Sequence, residues 1–208
     1  MKTHDKIKST IAVIDHEIAH LSSVFSTYKR LYVSDEETRK LLGETDSAFF
    51  GDLYIVYLNY IAVAVSRLLD PATTGKKANL TIFTLINLLK DDGHSEADEL
   101  KERLKEIKTK AYNFTEPRNQ LVSHLDYDVN NNGSNSKAIP SFVTSEFDSF
   151  YEDVGVLMND IRIILDMSPY MYEWGIVGHG SGRKLLHRIQ SAADDIKKRS
   201  EQGAASDR

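Results

Sequence analysis

Ile7, Ile11, Ile14, Ile18, Leu21, Phe25 and Tyr28 follow one another at alternating steps of four and three residues. An α-helix, with about 3.6 residues per turn, gathers such positions into one narrow apolar stripe. A strand would scatter them over both faces. The stripe predicts a helix from Asp5 to Leu31 with one side committed to a core.

The rest of the chain reads in the same way. Ser34, ahead of Asp35 and Glu36, suits the N-cap of a short helix ending at Gly43. Asp46 to Leu69 is apolar nearly all round and is expected as the buried central helix. Its polar residues Asp52, Asn59 and Ser66 recur every seven positions and share a face. Buried polar groups need partners, so that face either bonds to neighbouring helices or lines a cleft. Asp70-Pro71 and Gly75 end the segment. Thr81 to Lys90 reads as a short apolar helix. Glu96 to Phe114 follows, with Leu100, Leu104, Ile107 and Ala111 inward and Lys105, Lys108 and Lys110 outward. Pro117 fits a first helical turn, so Arg118 to Asp126 is expected to be helical. Asp128 to Ser136, rich in Asn, Gly and Ser, is expected to be a loop. Ser145 to Met167 carries Phe147, Phe150, Tyr151, Val154, Leu157, Met158, Ile161 and Ile164 at helical spacing. A last helix is expected from Gly182 to Lys198. No strand-like alternation stands out, and the fold class is an all-α bundle.

Length and composition bound the function. The 208 residues suit one domain over 1–200 with a flexible tail at 201–208. There is no Cys, which excludes disulfides, thiolate metal sites and Cys nucleophiles. The first ten residues lack the apolar core of a signal peptide, so the protein is expected in the cytoplasm. Leu53 to Val65 is too short and, with Asn59 inside it, too polar to span a bilayer, so no membrane partner is expected. A net charge of −5 argues against non-specific duplex DNA binding but leaves room for a local basic cleft.

Two motifs invite chemistry and fail on context. His16-Glu17-Ile18-Ala19-His20 has the spacing of a zinc-protease helix, two His one turn apart beside a Glu. With the Ile14–Ile18–Leu21 stripe facing the core, however, His16 and His20 fall on the solvent side with Ser23 and Thr27. A catalytic zinc needs a third ligand and a shaped cavity, and no further His follows at the required spacing. No metal or cofactor is expected. Gly175, Gly178, Gly180 and Gly182 hint at a phosphate loop. Arg183 stands where such a loop needs Lys, and the run reads as a loop closed by a cap at Ser181.

Arg118-Asn119-Gln120-Leu121-Val122-Ser123-His124 is different in kind. Arg is always cationic and His titrates near neutrality, so the pair can cut a phosphodiester without metal. The guanidinium would hold charge building on the phosphate oxygens, and the imidazole would move the proton of the attacking hydroxyl. Six helical positions leave the two residues about 120° apart and about 9 Å apart in rise. A two-fold axis would bring a second Arg–His pair to the same groove, which favours an isologous dimer. The Lys105, Lys108 and Lys110 face leads into this segment and could attract phosphate.

Arg118-Asn119 followed after four residues by His124 resembles the signature of HEPN domains (higher eukaryotes and prokaryotes nucleotide-binding). Ser66-Arg67-Leu68-Leu69-Asp70-Pro71, then Asn79-Leu80-Thr81-Ile82 and the apolar Leu85 to Leu89, resembles the abortive-infection U-type branch of that superfamily. The resemblance covers Ala48 to Asp126 in motif detail. It implies an up-and-down bundle of four to five main helices plus short ones, dimerising across the signature helix. It also implies a metal-independent endoribonuclease with His124 as general base toward a ribose 2′-OH, Arg118 on the transition-state charge and Asn119 on the phosphate. Arg67 and Asp70 would be structural, an ion pair fixing a helix end. The branch is associated with phage defence by self-inflicted RNA damage, and the wider family includes toxins. RNA, a second copy of the chain and an antitoxin or defence partner are thus the expected partners. The alternative is a non-catalytic RNA-, nucleotide- or partner-binding module on the same fold.

Overall fold

The computed structural model describes residues 3–112, 115, 144–172 and 182–206. Six α-helices and one two-stranded hairpin are found among them: α1 (Thr3–Tyr28), α2 (Glu36–Leu69), β1 (Thr73–Thr74), β2 (Lys77–Ala78), α3 (Ile82–Asp91), α4 (Ala97–Lys110), α5 (Thr144–Ile164) and α6 (Arg183–Ser206). The chain is all-α in class. α6 continues beyond the expected helix end at Lys198 and the tail boundary at 201.

Every member of the opening stripe, from Ile7 to Tyr28, is buried. Burial of one such side chain is worth about 1.5–3 kcal/mol, so the seven together fix the rotation of α1. Past Tyr28 the helix widens into a π-helical stretch, Lys29–Val33, that carries Leu31 into the core. The Ser34 hydroxyl closes this stretch by donating to the Arg30 carbonyl at 2.8 Å. The cap of α2 is therefore one residue later than expected: the Asp35 carboxylate accepts from the Thr38 N–H.

α2 does not end at Gly43. It runs to a break at Asp46 (φ −166°, ψ 93°), where the Asp46 carboxylate accepts from the Phe49 N–H at 3.0 Å and caps the helix anew. The buried central helix is only half realised. Phe49, Ile55 and Val56 are 57%, 55% and 59% exposed, and apart from Phe50 the buried positions of this stretch begin at Ile61. By length and composition α2 is the one helix among the described residues that could cross a membrane, and 28% of its most apolar window is buried.

The loop after α2 holds the hairpin, too short to announce itself by alternation. Thr73 pairs with Ala78 and Thr74 with Lys77, and Gly75 takes φ +60° at the first turn position. The Asn79 side chain ties the hairpin by donating to the Pro71 carbonyl at 2.8 Å and to Thr74 Oγ1 at 2.7 Å. Thr81 then caps α3, accepting from the Thr84 N–H at 3.2 Å.

The described chain divides into two compact units, Met1–Ser22 with Leu58–Ile176 and Ser23–Tyr57 with Val177–Arg208. In the first, α4 packs against α3 and α5. Leu100, Leu104, Ile107 and Ala111 face inward as their spacing predicts, and so do Phe147, Phe150, Val154, Leu157, Met158 and Ile161. In the second, Leu31, Leu42 and Phe50 form the core, and Leu186 and Ile189 of α6 pack on it. Tyr28, Tyr32, Tyr54 and Tyr57 cluster nearby, with the Tyr32 and Tyr54 rings 5.3 Å apart. Gly182 enters α6 at φ +67°, and a Cβ there would stand 3.3 Å from Leu31 Cδ2. Both the backbone angle and the space call for glycine.

Candidate functional site

Arg118, Asn119, His124 and Asp126 lie outside the described residues, as does the Asp128–Ser136 run. The described chain leads up to them. α4 ends at Ala111, which caps it, and the Thr115 N–H donates back to the Ala111 carbonyl at 3.2 Å.

The basic face of α4 is exposed, but most of its cations are engaged. Lys105 donates to Glu102 at 2.7 Å, and Lys110 donates to Asp153 of α5 at 2.8 Å. The Asp153 carboxylate holds the Lys110 ammonium above its usual range. Lys108 stands 5.7 Å from the centre of the Phe83 ring. Arg103 is bound to Asp160 at 2.7 Å. Nearby carboxylates thus reduce the field that the lysine count alone suggests.

At the end of α2 the sequence pairs Arg67 with Asp70. Arg67 donates to Glu17 of α1 at 3.1 Å, and Asp70 sits half-buried at the helix end. Beside this pair, His20 Nδ1 lies 2.6 Å from the Tyr60 hydroxyl, with the rings edge-on at 5.5 Å. His16 stacks parallel to His20 at 6.4 Å. Burial raises the Tyr60 phenol above its ordinary value; Glu17 adds to the rise and Arg67 offsets part of it. With the phenol as donor, Nδ1 accepts and the imidazole proton sits on Nε2; in the other tautomer Nδ1–H donates to the hydroxyl. Both His residues are exposed as their phase predicts, whereas Thr27, expected on the same side, is buried.

Glu17, the would-be general base of the zinc-like motif, is held by Arg67. Among the described residues no three His, Asp or Glu side chains come together to hold a metal. Of the polar stripe on α2, Asp52 is exposed and Asn59 half-buried. Ser66 is buried, and its Oγ has no hydrogen-bond partner among the described residues.

A buried ionic knot, which the sequence did not announce, anchors the segment after α5. Asp15 accepts from both the Arg162 guanidinium and the Tyr172 hydroxyl. Tyr151 donates to the Tyr172 carbonyl at 2.7 Å, and Asn159 both donates to and accepts from the Tyr170 backbone. Burial, helped by the Asp15 charge, pushes the Tyr172 phenol far above its ordinary value. The knot is structural: its polar atoms are turned to one another.

A family model described as AbiU2, of the HEPN type, matches residues 5–173. The chain belongs to the HEPN AbiU2 family. The match takes in α1 to α5 and the Arg118–His124 signature, and it stops before α6. No curated protein and no solved structure matches. The chain is thus a HEPN-type module of a family linked to abortive infection.

Proposed function

We propose that this HEPN AbiU2 protein is a metal-independent endoribonuclease that acts in phage defence or as a toxin, in the cytoplasm and as a homodimer. The observation that carries the reading is the family match, whose span contains Arg118-Asn119 and His124 at the signature spacing. His124 takes the proton of a ribose 2′-OH, and the 2′ oxygen attacks the adjacent phosphorus. Arg118 stabilises the added charge on the phosphoryl oxygens, and Asn119 positions them. The 5′ oxygen of the next nucleotide leaves as its hydroxyl, taking up the proton that His124 accepted, and the product is a 2′,3′-cyclic phosphate. Lys105, Lys108 and Lys110 add a modest phosphate-attracting field, and an antitoxin or defence partner restrains the site.

The test is incubation of purified wild type and His124→Ala with total RNA, with and without chelator. Wild type is expected to cleave in both conditions and the variant in neither. Cleavage by the variant equal to wild type, or chelator-sensitive cleavage, overturns the reading.

A further inference from the structure

The carboxylates that partner the cations of α4 have no counterpart along the opening of α6. That helix carries six Lys and Arg against three carboxylates, in a chain where carboxylates outnumber bases 31 to 26. Four of its cationic or titratable side chains, Arg183, Lys184, His187 and Arg188, fall within its first six residues, and all are exposed. Among the described residues no ion pair or hydrogen bond reaches any of them.

Their placement is not what helix stability favours. A helix start is the positive end of the backbone dipole, and α6 has no acidic residue in its first turn. Lys184, His187, Arg188 and Ser191 follow the i, i+3, i+4, i+7 pattern of a single face. Leu186 and Ile189 lie on the opposite side, packed on the Leu31–Leu42–Phe50 core of the same unit.

We infer that the opening face of α6 is a docking surface for the phosphate backbone of single-stranded RNA. The inference rests on the reading of RNA as the substrate. Exposed cations that have no partner among the described residues, on a ridge of about 7.5 Å, suit successive phosphates of one strand. An anionic membrane would also attract them. An interfacial helix, however, needs a continuous free apolar face; Leu186 and Ile189 are occupied by packing, and the large apolar side chains left exposed, Leu185 and Ile196, stand about 16 Å apart in rise. α6 lies past the end of the family match.

The experiment uses the full chain carrying His124→Ala to prevent cleavage, and a fluorescent single-stranded RNA of about twenty nucleotides. Anisotropy titrations compare R183Q/K184Q/R188Q with K40Q/K90Q over a range of salt, with far-UV circular dichroism to confirm retained helix. The α6 triple variant is expected to bind at least about tenfold more weakly, with a salt slope lower by about 2, the loss of three phosphate contacts at about 0.7 each. K40Q/K90Q is expected to change affinity less than about twofold, because Lys40 and Lys90 already have the carboxylate partners Glu44 and Asp98. Unchanged affinity and slope in the triple variant overturn the inference. So does loss of binding to phosphatidylserine vesicles with RNA affinity intact, which would assign the surface to a membrane. Because binding is read on a chain that does not cleave, a failed nuclease test leaves this result standing, and the reverse holds as well.

Discussion

His20 Nδ1 and the Tyr60 hydroxyl are 2.6 Å apart across the contact of α1 with α2, beside the Arg67–Glu17 ion pair. The HEPN AbiU2 chain thereby fixes one nitrogen of an exposed imidazole and leaves the other to solvent. Tyr60→Phe is expected to cost about 0.5–1 kcal/mol, the worth of one partly exposed hydrogen bond. The sharper readout is nitrogen-resolved NMR. Neutral His20 is expected to carry its proton on Nε2 in wild type and to lose that preference in the variant. An Nδ1–H tautomer in wild type contradicts the donor role given to Tyr60.

Alkaline pH is expected to destabilise the protein through its buried tyrosines. Burial, with a contribution from Tyr57, raises the Tyr32 phenol from 10.0 to about 12, and Tyr28, Tyr57, Tyr60, Tyr151 and Tyr172 are raised as well. A phenol whose folded value is raised contributes stability that is fully present below its unfolded value. The contribution fades as pH climbs toward the folded value. Stability measured by urea unfolding should therefore fall from about pH 10 to 12, and Tyr32→Phe should flatten the fall. A flat profile across that window refutes the assignment.

Asp15 and Arg162 are an internal ion pair with side chains only 13% and 12% exposed. Removing one partner strands the other charge away from water. Asp15→Ala is expected to cost about 3–5 kcal/mol in urea unfolding. A loss below about 1 kcal/mol would mean that water reaches the orphaned guanidinium.

Gly155 is needed for space. A Cβ there would meet Tyr172 Cβ at 3.2 Å, and Tyr172 cannot retreat while its hydroxyl holds Asp15. Gly155→Ala is expected to cost about 1–3 kcal/mol despite its better helix propensity. A rise in melting temperature would show that the segment after α5 yields easily.

His124→Ala is expected to lower RNA cleavage by about 10²–10⁴-fold, the usual worth of a general base, with unchanged far-UV circular dichroism and unchanged mass in sedimentation. A fall of less than about tenfold would move the proton transfer to another group.

Much of the fold was legible in the residues. The stripe of α1 and the inward faces of α4 and α5 follow from a 3.6-residue period, which depends only on backbone geometry. The family, too, was visible in Arg118-Asn119-x4-His124 and in the Ser66–Pro71 turn, and the match over 5–173 agrees. Local punctuation was read less well. Ser34 and Asp35 can both cap a helix, and the choice fell to Asp35 because the π-helical stretch placed the Ser34 hydroxyl on Arg30.

The sequence by itself determined where helices form and which side of each turns inward, because those properties repeat within a few residues. The tertiary structure alone decided which groups meet: Arg67 with Glu17 fifty positions away, Asp15 with Arg162 at 147 positions, and the exposure of Phe49, Ile55 and Val56 on a helix that composition marks as core. Periodicity encodes direction, not neighbours. Whether an apolar face is covered, or a cation finds a carboxylate, depends on elements remote in the chain.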